Sequence, residues 1–183
     1  MSTVVKRWTY DDLVALPEDN LRHEIIDGEH VVSPAPIPKH QIVVGHIHGI
    51  LYRYLQEHPI GRVFVAPLDI IFSPHNVLEP DVLYISNERS IIGPKNVQGA
   101  PDLTVEVLSE LKRRDEVDKL AVYERFGVVE YWIADPEAET VRVYRRGAAG
   151  TYGSAVELRA HRQDVLTSLL FPGLTIDVAY LFR

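Results

Sequence analysis

A strand, a helix and a second strand follow one another between residues 103 and 134, and this succession constrains the fold more than any other stretch. Leu103-Thr104-Val105-Glu106-Val107-Leu108 is an apolar run of strand length, interrupted by one threonine and one acid. Arg113 to Phe126 carries apolar and aromatic residues at helical spacing and stops at Gly127, the residue best suited to the left-handed turn that ends a helix. Val129 to Ala134 is again largely apolar. Two strands joined through a helix run parallel, because short turns join only antiparallel neighbours. The fold class expected is therefore α/β or α+β, with a mixed β-sheet flanked by helices.

The remaining elements surround this unit. Thr9 to Leu16 reads as a short helix with Thr9 as cap and Pro17 as stop. Asp27-Gly28 is a strong hairpin signal, with Arg22 to Ile26 as one arm and Glu29 to Val32 as the other. Ser33-Pro34-Ala35-Pro36-Ile37-Pro38 is a loop, since closely spaced prolines break regular structure. A helix follows from Lys39 to about Glu57, where Ile42, His46, Ile50 (or Gly49) and Tyr54 recur at near-helical spacing with Val43, Ile47, Leu51 and Leu55 beside them. Arg62 to Ala66, Asp69 to Phe72 and Asp81 to Ser86 read as strands. Val129 to Ala134 and Thr140 to Arg145 form a hairpin across residues 135–139, whose second strand is expected at a sheet edge and so open to homodimer formation. Further strand-like stretches lie at Ala155 to Arg159 and near Val165 to Leu170.

At 183 residues the chain is expected to be one domain with an ordinary hydrophobic core. A net charge of −7 argues against a protein that coats nucleic acid, because phosphate contacts drive such binding. It leaves room for an acidic metal site ringed by local bases. The basic clusters are Lys112-Arg113-Arg114 and Arg142, Arg145 and Arg146, read first as solvated helix-end or edge-strand charges. With no cysteine, any metal would be held by oxygen or imidazole. No apolar run approaches the ~18 residues of a membrane span, and the N-terminus lacks the apolar centre of a signal peptide, so a cytoplasmic protein is expected.

Two carboxylates stand out because a lone acid among apolar strand residues is costly unless paired or metal-bound. Asp81 heads Asp81-Val82-Leu83-Tyr84-Ile85 and shares a face with Leu83 and Ile85. Glu106 shares a face with Thr104 and Leu108. Lys119 lies on the same helix side as Tyr123 and Phe126, although a helical ion pair with Asp115 is an ordinary alternative for it. Either acid alone reads as a paired strand-end residue; two acids with a lysine read as a site. Glu24, in the first hairpin arm, is a fourth candidate, balanced against a water-facing edge glutamate. His46 and His48 point to different sides of their helix, and His40 could reach one face with Val44 and His48. No zinc motif is present, and none of the histidines is assigned as a ligand. Phosphate-cradling glycine loops, dinucleotide fingerprints and a nucleophile elbow are likewise missing, and Ser109 reads as a helix cap.

Several motifs occur in an order that resembles the bacterial Uma-two family. They are Glu79-Pro80-Asp81-Val82-Leu83-Tyr84, Pro101-Asp102-Leu103-Thr104-Val105-Glu106-Val107-Leu108-Ser109, Asp118-Lys119-Leu120 with Tyr123, and the run from Gly127 to Pro136. The segments Leu13 to Pro17 and Glu24 to Glu29 match the family's opening. The resemblance implies a restriction-endonuclease-like fold of the PD-(D/E)XK superfamily, with an N-terminal helix and hairpin extension (1–38), a nuclease-like core (39–146) and a C-terminal extension (147–183). It implies Asp81 and Glu106 as metal-binding and catalytic acids, Lys119 as the catalytic lysine and Glu24 as a further acid beside the metal. In the superfamily the lysine usually lies two residues after the second acid, where this chain has Leu108, so Lys119 supplies it from the next helix. After Ser109 the family's Pro-Ser-Thr is replaced by Glu110-Leu111-Lys112, which alters the loop bordering the site.

The function expected is Mg²⁺- or Mn²⁺-dependent hydrolysis of phosphodiester bonds, with DNA as substrate. The alternative is a non-catalytic binding or assembly module on the same scaffold, which the acidic charge and altered loop favour. Hydrolysis of a smaller phosphate ester is a third reading. Asp81→Ala or Lys119→Ala is expected to abolish cleavage with the fold intact.

Overall fold

The computed structural model describes residues 6–109 and 114–183, and for residues 114 and 115 the backbone only. The chain begins with α1 (Tyr10–Val14) and the hairpin β1 (Arg22–Ile26) and β2 (Glu29–Ser33), followed by the long helix α2 (Pro38–Glu57). Then come β3 (Gly61–Val65), β4 (Ile70–Ser73), β5 (Asn76–Leu78), β6 (Val82–Ser86), β7 (Val97–Gln98) and β8 (Leu103–Val107). A π-helical turn (Arg114–Lys119) runs directly into α3 (Leu120–Phe126). The chain continues through β9 (Glu130–Asp135), β10 (Thr140–Arg145), β11 (Val156–Arg159), β12 (Val165–Thr167), β13 (Thr175–Asp177) and α4 (Val178–Leu181).

The central sheet has six strands in the order β11-β10-β9-β8-β6-β3. Within it β8 and β9 pair in parallel from Leu103–Glu130 to Val107–Ala134, as the strand–helix–strand succession requires, and the other pairs are antiparallel. A second sheet, β2-β1-β5-β4-β7, carries the N-terminal hairpin. Asp27 and Gly28 both have positive φ (51° and 86°), the conformation that a tight two-residue hairpin turn demands.

Strand parity divides the core. Val82, Tyr84, Leu103, Val105 and Val107 face α2, whose Val43, Val44, Ile47, Leu51 and Leu55 are buried against them together with the C-terminal segment. On the opposite face Leu108, Tyr131 and Ile133 pack with Val122 and Tyr123 of α3 and with Ile26, Val31 and Leu78 of the second sheet. Burying each such Leu, Ile or Val contributes about 1.5–3 kcal/mol, which anchors both layers. The second face is where the acids lie.

Three expectations change. The α-helix expected over residues 113–126 is α-helical only from Leu120, its first part being wound in wider π turns. Strand β10 is not an edge, since Thr140–Val143 pair with Val156–Arg159, so the edge argument for a homodimer moves from Thr140–Arg145 to β11. The C-terminal stretch near Val165 to Leu170 holds only the short β12, paired with β13. The cluster Lys112-Arg113-Arg114, the altered loop of residues 110–112 and the Asp115–Lys119 pair fall outside the described residues or side chains. Among the described residues no helix is long and apolar enough to cross a membrane.

A capping box starts α1: the Thr9 hydroxyl accepts from the Asp12 amide, and the Asp12 carboxylate accepts from the Thr9 amide at 2.9 Å. Hydrogen bonds from Lys6 and then Thr9 hold the Asp12 carboxyl down from 3.8 to about 2. A depressed folded-state pKa stabilises above the unfolded value and is lost as pH falls through the folded one. Amide exchange at Leu13 and Ala15 should therefore accelerate as pH drops from 3.8 towards 2, after correction for intrinsic rates, and Asp12→Asn should abolish that step.

Candidate active site

Antiparallel pairing of β6 with β8 aligns Val82 with Val105. One residue further along the ladder, Asp81 comes opposite Glu106, on the face turned towards α3 and the second sheet. Both acids line one cavity of about 40 Å³, with Arg22, His40 and Lys119 among its other walls. Asp81, Glu106 and Lys119 are 2%, 1% and 2% exposed, so their charges are buried. The sequence candidates Asp81, Glu106 and Lys119 thus meet at one place.

Asp81 is held from three directions. Its Oδ1 accepts from Arg22 Nη2 at 2.8 Å, while Oδ2 accepts from the Val107 amide at 2.8 Å and lies 3.2 Å from His40 Nε2. Burial alone would raise the Asp81 pKa, but the His40 hydrogen bond, the Arg22 charge and the Val107 amide outweigh it and hold the carboxyl at about 2. His40 sits in the first turn of α2, so the positive end of that helix dipole also favours the Asp81 anion. Arg22 is raised above its ordinary value: burial opposes its charge, and the fields of Asp81, Glu106 and Glu24 overcome that penalty.

Lys119 joins the other two acids. Its Nζ lies 3.0 Å from Glu106 Oε1 and 2.9 Å from Glu24 Oε1. Tyr123, one helical turn on, donates its hydroxyl to the same Glu106 oxygen at 2.6 Å. Burial and then the Glu106 charge push the Tyr123 hydroxyl well above its ordinary pKa, so it remains a donor. The lysine and tyrosine therefore share a helix side, as their spacing indicates, and fix the orientation of one carboxylate.

Glu24 lies behind this pair rather than at the water-facing edge considered for it. It is fully buried, accepts the Glu79 amide on Oε1 at 2.9 Å, and reaches the cavity through Lys119. Its second oxygen, Oε2, is buried without a hydrogen-bond partner. Beyond it, Glu79 is pushed up to about 7 by burial and the neighbouring Asp69, and burial likewise raises Asp69.

Two residues of the site were not singled out by sequence reasoning. Arg22 had a signal, since it stands two positions from Glu24 on a strand and so shares its face. His40 had none beyond its place after the Pro-rich loop, because its partner Asp81 comes from a distant strand.

The donor set suits a hard divalent cation. Asp81 and Glu106 present carboxylate oxygens to one cavity, and magnesium typically takes one or two protein carboxylates while keeping several waters. Among the described residues, no cluster of three or more His, Asp or Glu side chains is arranged to hold an ion. A two-carboxylate site with Glu24 behind it is therefore the arrangement on offer.

Comparison with known proteins agrees with this architecture. A crystal structure of a protein from Anabaena variabilis, described as "a putative nuclease belonging to DUF820", matches with a TM-score of 0.79 over 95% of this chain and 97% of that one. Identity is 22%, so the likeness establishes a shared mixed α/β fold. A comparison with curated proteins finds no match. The Uma2 family model, described as "Putative restriction endonuclease", matches residues 10–179. That span runs from the first residue of α1 to Ala179 in α4 and takes in every acid of the site, so the chain belongs to the Uma2 family.

Proposed function

We propose that the protein is a metal-dependent endonuclease that hydrolyses phosphodiester bonds of DNA. The observation that carries this reading is the convergence of Asp81, Glu106 and Lys119 on one small buried cavity, in a member of a family described as "Putative restriction endonuclease". Asp81 and Glu106 would hold Mg²⁺ or Mn²⁺, with Glu24 behind them, fixing Lys119 rather than lining the cavity. Such an ion polarises the scissile phosphate and lowers the pKa of a bound water.

The chain's own side chains would do the rest. Arg22 and His40 keep Asp81 ionised and oriented, so the carboxylate is ready before any ligand arrives. Tyr123 and Lys119 do the same for Glu106. Lys119 also borders the cavity, where its charge would stabilise the negative charge developing on the phosphoryl oxygens.

One observation favours the rival reading of a non-catalytic module: Arg22 and Lys119 already neutralise these acids without an ion. Calorimetric titration with Mn²⁺ separates the two. We expect saturable binding to the wild type that weakens at least about 10-fold in Glu106→Gln, since losing even an outer-shell partner of a metal site costs 10–100-fold in affinity. Absence of binding to the wild type would favour the rival.

A further inference from the structure

Asp81 offers a divalent cation only one of its oxygens, and Arg22 stands on it. An ionised carboxylate oxygen accepts about two hydrogen bonds. Both places on Oδ2 are taken, by the Val107 amide at 2.8 Å and by His40 Nε2 at 3.2 Å. Among the described residues Oδ1 accepts from Arg22 Nη2 alone, at 2.8 Å. A cation held by Asp81 therefore meets Oδ1 beside the guanidinium, and positive charges that share one oxygen repel.

Of the basic side chains described on the cavity wall, Arg22 is the one able to change partners. Its side chain is 24% exposed, against 2% for Lys119 and 6% for His40. Lys119 is fixed between Glu24 and Glu106. Arg22 makes a single hydrogen bond among the described residues, and its Nε lies 3.7 Å from Glu79, outside hydrogen-bond reach. A guanidinium carries several N–H donors in a planar fork that matches the oxygens of a phosphate. Arg22 thus has donors to spare where the positive charge of the site reaches water.

We propose that Arg22 is the phosphate-binding residue of this site: in the free protein it neutralises Asp81, and when a divalent cation takes Oδ1 it transfers to a non-bridging oxygen of the scissile phosphate. This rests on the phosphodiesterase reading, which supplies both cation and phosphate. Opposite effects follow from the one side chain. Arg22 opposes the cation while no DNA is bound, and it retains the DNA once the cation is in place.

The test compares the wild type with Arg22→Gln and Arg22→Lys in two measurements. Mn²⁺ is titrated calorimetrically into DNA-free protein, and binding of short duplex and single-stranded DNA is followed by anisotropy in Ca²⁺ buffer. Arg22→Gln is expected to bind Mn²⁺ at least about 10-fold more tightly than the wild type, the effect that one unit charge at this range has on a neighbouring ionisation. The same variant is expected to bind DNA about 10-fold more weakly, the lower end of what one hydrogen bond to a charged group contributes. A residue that merely orients Asp81 would give the reverse for the metal, since a misplaced carboxylate binds Mn²⁺ less well. Arg22→Lys keeps the charge but not the fork, so it should bind Mn²⁺ as the wild type does and DNA several-fold more weakly. This second variant decides the matter if Arg22→Gln does not fold. Mn²⁺ binding that is unchanged or weaker in Arg22→Gln, or DNA binding by Arg22→Lys equal to that of the wild type, would overturn the exchange of partners and leave the phosphodiesterase reading standing. Failure of the wild type to bind either Mn²⁺ or DNA would overturn both.

Discussion

Lys119→Met should lower the unfolding free energy by about 3–5 kcal/mol, the usual consequence of removing one partner from a buried ion pair. Here the consequence falls on two acids at once, because this ammonium lies between Glu24 and Glu106 and both are almost fully buried. The activity of Lys119→Ala is therefore to be read beside its unfolding free energy. Urea denaturation measures the effect. The double variant Glu24→Gln/Lys119→Met should recover part of the loss, because it removes a charge left without compensation. A loss below about 1 kcal/mol, of the size seen for exposed pairs, would mean that the lysine does not hold these acids together.

Asp81→Asn should have the largest effect on activity. The amide keeps an oxygen for the Val107 N–H and keeps the side chain's shape, so the cross-strand contact survives. It removes the anion that faces the cavity and leaves Arg22 without its closest charge partner. Loss of an outer-shell partner already costs 10–100-fold at metal sites, so loss of a carboxylate that holds the ion should lower the cleavage rate by more than about 10²-fold. Thermal unfolding followed alongside the rate would separate this from collapse of the site. A variant folded as the wild type and cleaving at the wild-type rate would remove Asp81 from the mechanism.

The fold and site differ in how far local sequence reveals them. The parallel pairing of β8 and β9 was legible because a helix between two apolar runs leaves no other connection. Parity set Glu106 on one strand face with Thr104 and Leu108, and helical spacing set Lys119 beside Tyr123, whereas the face that meets α3 and the position of Asp81 opposite Glu106 come from strand pairing. Strands β5, β7 and β13 were missed because two or three residues show no periodicity, and their pairing depends on neighbours brought in by the tertiary fold. The π-helical turn before α3 was hidden for a related reason: its residues fit a helical pattern, and only the backbone reveals the wider winding. His40 and Arg22 escaped because their role comes from contact with Asp81, and Arg22 is 59 residues away from it along the chain. Glu24 was named, but not its place beneath Lys119, which requires the second sheet to pack against the first.

Incubation of the purified protein with supercoiled plasmid and with circular single-stranded DNA, in Mn²⁺ and in EDTA, with Asp81→Asn alongside, tests the central claim most directly. The site described here predicts nicking or linearisation by the wild type in Mn²⁺, none in EDTA, and none by Asp81→Asn in either buffer. Intact DNA with the wild type in Mn²⁺, or equal cleavage by the wild type and Asp81→Asn, would contradict it.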